Sequence, residues 1–442
     1  MSVDLVLKNG IVILEGKEFP RSIAIKTGKI EGIYAVDEEP KGESEIDCDG
    51  KYILPGAIDV HVHLRDLKQA RKEDYISGTR AAAAGGVTTV VDMPNSVPPV
   101  LDWESLETKM LIAKRCRYVN IGFYAGIPAD IPSFDVDVAK QVLGLKVYPH
   151  SPLSEGVRYD KERIRDCVKL AVGLGLPLLV HPDASDPGAE PKSIDDFFQL
   201  HSCENEKISA NQFIDAIQEI GGRLHVCHVS CASTARLIIR NRAEDRLTAE
   251  VTPHHLLLSG ADFSNDDGTA KMLPPLRSPY DNQALRNALC RCGIDIVASD
   301  HAPHTSEEKR KPFVDAASGI PGLETLVPLM LSEVIDGKLS WVEYLRVCSS
   351  GPARIMGLAG KGLISHGYDA DLIIVAKENW KIMGTEFHSK AKVTPFEGRE
   401  VRAKPVTTIV GGEVVFDHGR FLVGPGKAGI APVRSLIQPR NT

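Results

Sequence analysis

Two histidines separated by one residue, His61 and His63, are the residues of this sequence whose types and spacing most clearly suggest chemistry. They follow the apolar run 52–58, which predicts a β-strand. Residues two apart on a strand project to the same face. The pair can therefore offer two imidazoles to one metal ion, or it can be a hydrogen-bonded feature of an ordinary strand. Any further metal ligands must come from elsewhere in the chain.

Four more polar residues lie within or at the ends of apolar runs: Lys146, His181, His228 and Asp300. Each has an ordinary explanation, such as a structural salt bridge for the lysine or a capped core position for a histidine. We assign that ordinary role to His225. One shared cause explains the other four better, because imidazoles and carboxylates bind metals and an aspartate can also move a proton.

Lys146 is unusual because an ammonium group in a buried strand must be paired or neutralised. Desolvation favours the neutral amine, which can take up carbon dioxide to form a carbamate. That anion could bridge two cations. A salt bridge remains the alternative at this point.

Short apolar runs alternate with helical patterns from residue 57 to residue 299, which is typical of βαβ units and a parallel sheet. Three helices are predicted before glycines, at 74–84, 160–174 and 204–220. Eight β/α units predict an α/β fold, a (β/α)8 TIM-type barrel, whose chemistry lies at the C-terminal ends of the strands. The eight predicted strands are 57–62, 87–92, 119–124, 144–148, 177–181, 223–228, 247–252 and 294–299.

The two ends of the chain have a different pattern, with alternating runs separated by Asn-Gly, Glu-Gly and Thr-Gly turns. Similar runs return between residues 370 and 416. Because isolated hairpins are marginal in water, we expect both ends to meet in a small β-sandwich. The predicted domains are residues 1–54 and 358–442 for this sandwich and 55–357 for the barrel.

Composition excludes several functional classes. The 442 residues carry a net charge of −7, and no lysine or arginine run predicts a nucleic-acid or membrane surface. No apolar segment is long enough to span a bilayer and no signal peptide is apparent, so we expect a cytoplasmic protein. The nine cysteines lack Cys-x-x-Cys spacing, and we expect them to be reduced packing residues.

The motifs taken together resemble the amidohydrolase superfamily and, within it, the dihydroorotases. The resemblance runs from the first hairpins to about residue 416. It is carried by Asp59-Val-His-Val-His-Leu-Arg65, Gly85-Gly-Val-Thr-Thr-Val-Val-Asp-Met-Pro-Asn95, Glu250-Val-Thr-Pro-His-His-Leu256, Ser299-Asp-His-Ala-Pro-His-Thr305 and Thr394-Pro-Phe-Glu-Gly398.

This resemblance implies two zinc ions per subunit. His61, His63 and Asp300 would hold one ion, His181 and His228 would hold the other, and a carbamylated Lys146 would bridge them. Asp300 would also be the catalytic residue that moves a proton between the attacking water and the ring nitrogen. The implied reaction is the reversible closure of N-carbamoyl-L-aspartate to dihydroorotate in pyrimidine biosynthesis.

The resemblance also implies that Arg65, Asn95 and His304 bind the substrate carboxylate. A guanidinium group can meet a carboxylate with two parallel hydrogen bonds, which agrees with that role. An ion pair with Asp66 or Glu73 is the alternative for Arg65.

Related families remain as alternatives. Allantoinases and dihydropyrimidinases share the metal ligands but typically lack the combination of Arg65 and His304, and a catalytically silent homologue would usually lack ligands. This chain also departs from many dihydroorotases, with Asp66-Leu67-Lys68 after the arginine and Leu273 where an asparagine is common. We expect a small-molecule substrate and a lid at 306–318, and the sequence leaves a homo-oligomer open.

Overall fold

The computed structural model describes residues 2–242, 244–264 and 266–426. Its strands are β1 Val3–Leu14, β2 Lys17–Lys26, β3 Lys29–Tyr34, β4 Gly42–Asp47, β5 Tyr52–Pro55, β6 Ala57–Val62, β7 Val87–Asp92, β8 Asn120–Phe123, β9 Leu145–Val147, β10 Leu178–Val180, β11 Leu224–Val226, β12 Leu247–Val251, β13 Ile296–Val297, β14 Leu372–Ala376, β15 Trp380–Lys381, β16 Glu400–Val401, β17 Lys404–Val410, β18 Glu413–Asp417 and β19 Arg420–Phe421.

The α-helices lie mainly between and after the parallel strands. They are α1 Tyr75–Ala84, α2 Trp103–Cys116, α3 Val136–Ala139, α4 Lys161–Leu174, α5 Ile194–Leu200, α6 Cys203–Ile220, α7 Ala232–Arg240, α8 Pro253–Leu257, α9 Pro279–Cys290, α10 Ser306–Lys309, α11 Leu323–Ile335, α12 Trp341–Leu345 and α13 Gly351–Met356.

The eight strands predicted between residues 57 and 299 are all present, as β6 to β13, and they pair in parallel. They form a three-stranded sheet, β6-β7-β8, and a five-stranded sheet, β9 to β13. Parallel bridges link the two sheets on both sides, between Ala125 and Leu145 and between Val62 and His301. Every residue of these strands is buried, as expected when helices cover a parallel sheet.

The predicted helices are confirmed at α1, α4 and α6. Asp74 and Asp160 cap the first two of them by accepting backbone hydrogen bonds, from Ser77 and Arg163. Gly175 ends α4 with φ of 68°, a left-handed conformation that glycine adopts without strain. These local signals fix where each helix begins and ends, and therefore where the following strand starts.

Strands from both ends of the chain lie in one mixed sheet. Its order is β19-β18-β17-β14-β5-β1-β2-β3, with β4 paired to β1. The junction is the antiparallel pair of β14 with β5, which brings residues 372–375 beside residues 52–55. Since β5 leads directly into β6, this sheet fixes the entry of the chain into the first parallel strand.

The expectation that all cysteines are reduced is wrong for one pair. Cys203 and Cys231 form a disulfide, with their Cα atoms 5.7 Å apart. Spacing could not reveal it, because the cysteines are 28 residues apart and meet only where the first residue of α6 packs beside the residue that precedes α7. The other seven cysteines are free.

Candidate active site

The sequence-predicted residues converge where the parallel strands end. A cavity of about 260 Å³ opens there, and its walls include all the predicted site residues except Lys146, namely His61, His63, Arg65, Asn95, His181, His228, Asp300 and His304. Lys146 lies on β9 and is completely buried. Three larger cavities lie elsewhere in the described part of the chain, and none of those three gathers ionisable groups from so many strand ends.

Three of the predicted metal ligands meet at one point. Nε2 of His63 lies 3.1 Å from Oδ1 of Asp300, and Nε2 of His61 lies 3.4 Å from the same oxygen. Burial raises the pKa of Asp300, but the nearby His61, His63 and His228 outweigh this effect and hold that pKa well below its usual value. Burial lowers the pKa of His63 to about 4, which keeps that imidazole neutral. A carboxylate and neutral imidazoles are the forms that bind metal.

His181 and His228 stand next to this group, with their ring centroids 4.4 Å apart. The His228 ring is also 5.1 Å from that of His61. Burial lowers the pKa of both histidines well below the usual value. Nε2 of His181 and Nδ1 of His228 are buried and have no hydrogen-bond partner in the described part of the chain. Unpaired buried nitrogens are costly, so this donor set fits a bound cation.

Lys146 lacks the salt bridge that was its ordinary explanation. Its Nζ contacts Sγ of Cys227 at 2.8 Å and lies 5.0 Å from the ring centroid of Tyr148. Among the residues that the structure describes, no carboxylate forms an ion pair with it. A buried amine without a counter-ion fits the carbamate interpretation better than the salt-bridge interpretation.

Glu250 orients His61, His225 and His228 through hydrogen bonds. Its carboxylate accepts hydrogen bonds from Nδ1 of His61, from Nε2 of His225 at 3.1 Å and from the backbone N–H of His228 at 3.2 Å. A carboxylate on the far nitrogen of a ligating histidine fixes its tautomer and its orientation. His225 therefore has the ordinary structural role expected of it, as a partner of this glutamate and of Thr248.

Asn95 has a contact that the sequence did not suggest. Its Oδ1 lies 2.7 Å from Nδ1 of His63, so the amide oxygen orients a candidate metal ligand. The same side chain lines the cavity, where its amide N–H groups can donate to a bound substrate.

Arg65 and His304 form the basic wall of the cavity. Nη2 of Arg65 is 3.4 Å from Nε2 of His304, and Nε of Arg65 is buried without a hydrogen-bond partner. Neither Asp66 nor Glu73 pairs with this guanidinium group; Glu73 instead accepts from Ser77 and Ser389. The arginine is thus free to bind an anion, and Leu273 lines the same cavity at the position where relatives often carry asparagine.

Backbone strain coincides with the site. Arg65, His228 and Asp300 have φ values of 57°, 33° and 48°, which non-glycine residues seldom adopt. Strain of this kind persists only where the surrounding structure enforces it, and it concentrates at functional sites.

Sequence reasoning missed several residues of the site. Glu250, Tyr148, His150 and Lys72 all lie in or beside the cavity, but none was assigned a role. Glu250 carried a usable signal, since an acid within the apolar strand 247–251 must have a buried partner. Lys72 carried no signal, because its partners come from a loop more than 200 residues away.

Comparison with known proteins agrees with this geometry. The model of the amidohydrolase family matches residues 52–415. A curated protein named dihydroorotase from Methanosarcina acetivorans is 34% identical, covering 96% of both chains, and one from Pyrococcus horikoshii is 36% identical, covering 96% of this chain and 94% of the relative. A solved structure of an L-hydantoinase (dihydropyrimidinase) from Arthrobacter aurescens superposes with a TM-score of 0.90 at 27% identity, covering 97% and 99% of the two chains.

The chain belongs to the amidohydrolase family. Within that family, the curated relatives that it matches over almost their whole length are named dihydroorotase, which confirms the resemblance read from the motifs. No helix in the described part of the chain is long and apolar enough to cross a membrane.

Proposed function

We propose that this protein is a dihydroorotase, which interconverts N-carbamoyl-L-aspartate and (S)-dihydroorotate plus water in de novo pyrimidine (UMP) biosynthesis. The observation that carries the proposal is the guanidinium group of Arg65, which has no acidic partner among the described residues and lies in the same cavity as the His61–His63–Asp300 cluster. A cyclic-amide hydrolase needs the cluster, and a substrate with a free carboxylate needs the arginine.

The residues present fit two divalent ions, which we take to be zinc. His61, His63 and Asp300 would hold one, His181 and His228 the other, and a carbamylated Lys146 would bridge them. When bound, such a pair makes a water molecule acidic and polarises the carbonyl that it attacks. Support comes from the neutral, partly unpaired imidazoles and from the lysine without a counter-ion.

Asp300 is the group that moves the proton. Its carboxylate is ionised at neutral pH, and Oδ1 lies 3.1 Å from Nε2 of His63 and 3.4 Å from Nε2 of His61. In ring opening it accepts the proton of the attacking water and delivers it to the departing ring nitrogen. Ring closure reverses these transfers, because the same groups face the same atoms.

Arg65, His304 and Asn95 hold the carboxylate that does not react. The guanidinium group provides charge and paired donors, and the imidazole and the amide provide further hydrogen bonds. Leu273 adds an apolar contact in the same cavity. Because Arg65 is 9% exposed, its charge acts on the substrate with little screening by water.

We also propose that the eight parallel strands close into a (β/α)8 barrel and that the chain ends form a small β-sandwich domain. The bridges on both sides of the two parallel sheets support closure. The pairing of β14 with β5 supports a domain built from residues 1–54 and 358–442 around a barrel of residues 55–357.

The test is the turnover of both substrates by the purified protein, with its metal content measured in parallel. We expect two zinc ions per chain, closure of N-carbamoyl-L-aspartate and opening of dihydroorotate. Closure converts a dianion into a monoanion and consumes one proton, so the equilibrium ratio of product to substrate should fall about tenfold per unit rise in pH. The Asp300→Asn variant, which cannot accept the proton, should lose activity.

A hydantoinase or dihydropyrimidinase is the second candidate, favoured by the superposition on the Arthrobacter aurescens enzyme. Zinc-loaded protein that opens hydantoin, dihydrouracil or allantoin but not dihydroorotate would reassign the function. Zinc-loaded protein without activity on any of these rings would instead indicate a catalytically silent homologue.

A further inference from the structure

Lys72 brings a second cation to the basic wall of the cavity. It lies between β6 and α1, and its side chain is 25% exposed. Its Nζ is 3.2 Å from Nδ1 of His304 and 3.3 Å from Oε1 of Glu308. Lys72 therefore connects the loop after β6 with the segment after β13, at the residue expected to bind the substrate carboxylate.

The shortest contacts of the two ring nitrogens of His304 are with opposite kinds of partner. Nε2 is 3.0 Å from the carbonyl oxygen of Ser318, which can only accept, so Nε2 must carry the proton of that hydrogen bond. Nδ1 faces the ammonium group of Lys72, which can only donate, so Nδ1 must be the acceptor. Only the neutral imidazole with its proton on Nε2 satisfies both contacts.

Glu308 competes for the opposite arrangement. Its Oε2 lies 3.4 Å from Nδ1 of His304 and would accept a proton carried there. Among the charged groups around the imidazole, Arg65, Lys72 and Lys309 lower its pKa and Glu308 raises it. Burial, reinforced by Arg65 and Lys72, lowers the pKa of His304 to about 3, so the ring is neutral. Of the four contacts, the two shorter ones, to Ser318 and Lys72, favour the proton on Nε2.

The position of that proton matters for anion binding. Nη2 of Arg65, which can only donate, lies 3.4 Å from Nε2 of His304, so the Nε2–H form gives up this longer contact for the shorter contacts to Ser318 and Lys72. A carboxylate bound beside both residues can accept from Nη2–H of Arg65 and share the Nε2–H of His304 with the Ser318 carbonyl oxygen. If the proton moved to Nδ1, Nε2 would present a lone pair to that carboxylate instead, and the contact would become repulsive.

We propose that Lys72 is a positioning residue, which fixes His304 in the Nε2–H tautomer so that this imidazole and Arg65 bind the substrate carboxylate together. The proposal deepens the proposed function and rests on it for the nature of the anion. Glu308 pairs with the ammonium group through Oε1 at 3.3 Å. Lys72 acts through His304.

The first test reads the tautomer without turnover. In protein labelled with ¹⁵N-histidine, with the His304 signals identified by their loss in His304→Asn, the wild type should show a protonated Nε2 and an unprotonated Nδ1. Lys72→Met should place a proton on Nδ1, because a hydrogen bond to the Glu308 carboxylate is stronger than one to a carbonyl. Lys72→Arg keeps a cationic donor and should restore the wild-type pattern.

Two further variants serve as controls. In Lys72→Met/Glu308→Gln the competing carboxylate is gone, so the proton should return to Nε2. Lys68→Met removes an exposed lysine from the same loop, outside the cavity, and should change nothing. An unprotonated Nδ1 in Lys72→Met would overturn the proposal whether or not the protein turns over dihydroorotate.

The second test separates positioning from simple attraction of charge. For Lys72→Met, KM for dihydroorotate should rise about tenfold at alkaline pH, the effect of one lost hydrogen bond to a charged group. The same variant should carry the proton on Nδ1 of His304. We expect kcat to change less than KM. A raised KM in Lys72→Met with the proton still on Nε2 of His304 would show that Lys72 only contributes charge, and would overturn the positioning role.

These tests distinguish two kinds of failure. Absence of dihydroorotate turnover by the zinc-loaded wild type defeats the proposed function, while the tautomer measurement still decides the role of Lys72. Turnover by the wild type with an unchanged KM profile in Lys72→Met defeats the role of Lys72 alone.

Discussion

Arg65 is the single residue whose surroundings say most about the substrate. A guanidinium group that is 9% exposed would normally have an acidic partner, yet its Nε is unpaired and Glu73 is occupied by serine hydroxyls. A buried, unpaired cation is costly, and a bound anion would relieve that cost. The residue therefore favours a carboxylate-bearing substrate over the neutral rings of hydantoinases.

Arg65→Met is expected to raise KM for dihydroorotate about a hundredfold, because two charge-assisted hydrogen bonds are lost at about 1.5 kcal/mol each. Zinc content should stay unchanged, since Arg65 binds no metal. Steady-state kinetics and metal analysis test both statements. Arg71→Met, which removes an exposed arginine of the same loop, is the matched control. Loss of zinc in Arg65→Met would contradict the role assigned to it.

At the scale of elements, the segment that follows β13 is held in place by a buried lysine. Lys309, in α10, donates to the carbonyl oxygens of Lys271 at 2.7 Å and of Ala317 at 2.9 Å. Phe313 packs against the rings of Phe197 and Phe198. These contacts of Lys309 and Phe313 hold the candidate lid 306–318 in place. The same segment contains Ser318, whose carbonyl oxygen contacts His304.

Lys309→Met should destabilise the protein by about 1–3 kcal/mol, because two buried carbonyls lose their donor. The loss should grow as the pH rises. Burial, with a contribution from the charge of Lys271, lowers the pKa of Lys309 to about 7 from the usual 10.5. Between these values the unfolded chain binds more protons than the folded one, so this group adds stability with rising pH.

Thermal unfolding between pH 7 and pH 10 measures that dependence. The difference in midpoint between the wild type and Lys309→Met should widen across this range. Lys311→Met, an exposed neighbour, should follow the wild type at every pH. A constant difference would show that Lys309 is charged throughout.

At the scale of the whole molecule, Asp371 joins the mixed sheet to the parallel strands. Its carboxylate is 6% exposed and pairs with Lys361, which also contacts Asp369 at 3.0 Å. It accepts in addition from Nδ2 of Asn120 on β8 at 3.0 Å and from the backbone N–H of Gly411 at 2.7 Å. One buried group thus connects three segments that are distant in sequence.

Asp371→Ala is expected to cost about 3 kcal/mol of unfolding free energy, because it removes the buried carboxylate that pairs with Lys361 and accepts from Asn120 and Gly411. Urea denaturation measures the loss. Asp137→Ala breaks an exposed ion pair with Lys140 and should cost less than about 1 kcal/mol. Equal losses in the two variants would contradict the joining role of Asp371.

The sequence predicted the elements well where local signals are strong. β6 and β7 have the predicted bounds, because short runs rich in β-branched residues mark buried strands. The last strand was predicted as 294–299 but only Ile296–Val297 pair in β13. There the backbone turns into the site, and Asp300 takes a positive φ that no local pattern reveals.

The sequence by itself determined which residue types lie at the strand ends, since hydrophobic runs and the polar residues that end them are local features. It thereby identified the histidines, the lysine and Asp300 of the candidate site. Only the tertiary structure decided their partners, such as Glu250 behind His61, Lys72 beside His304 and Cys203 bonded to Cys231. These contacts join residues 28 to 232 positions apart, and a local pattern carries no information about which distant side chains the fold will bring together.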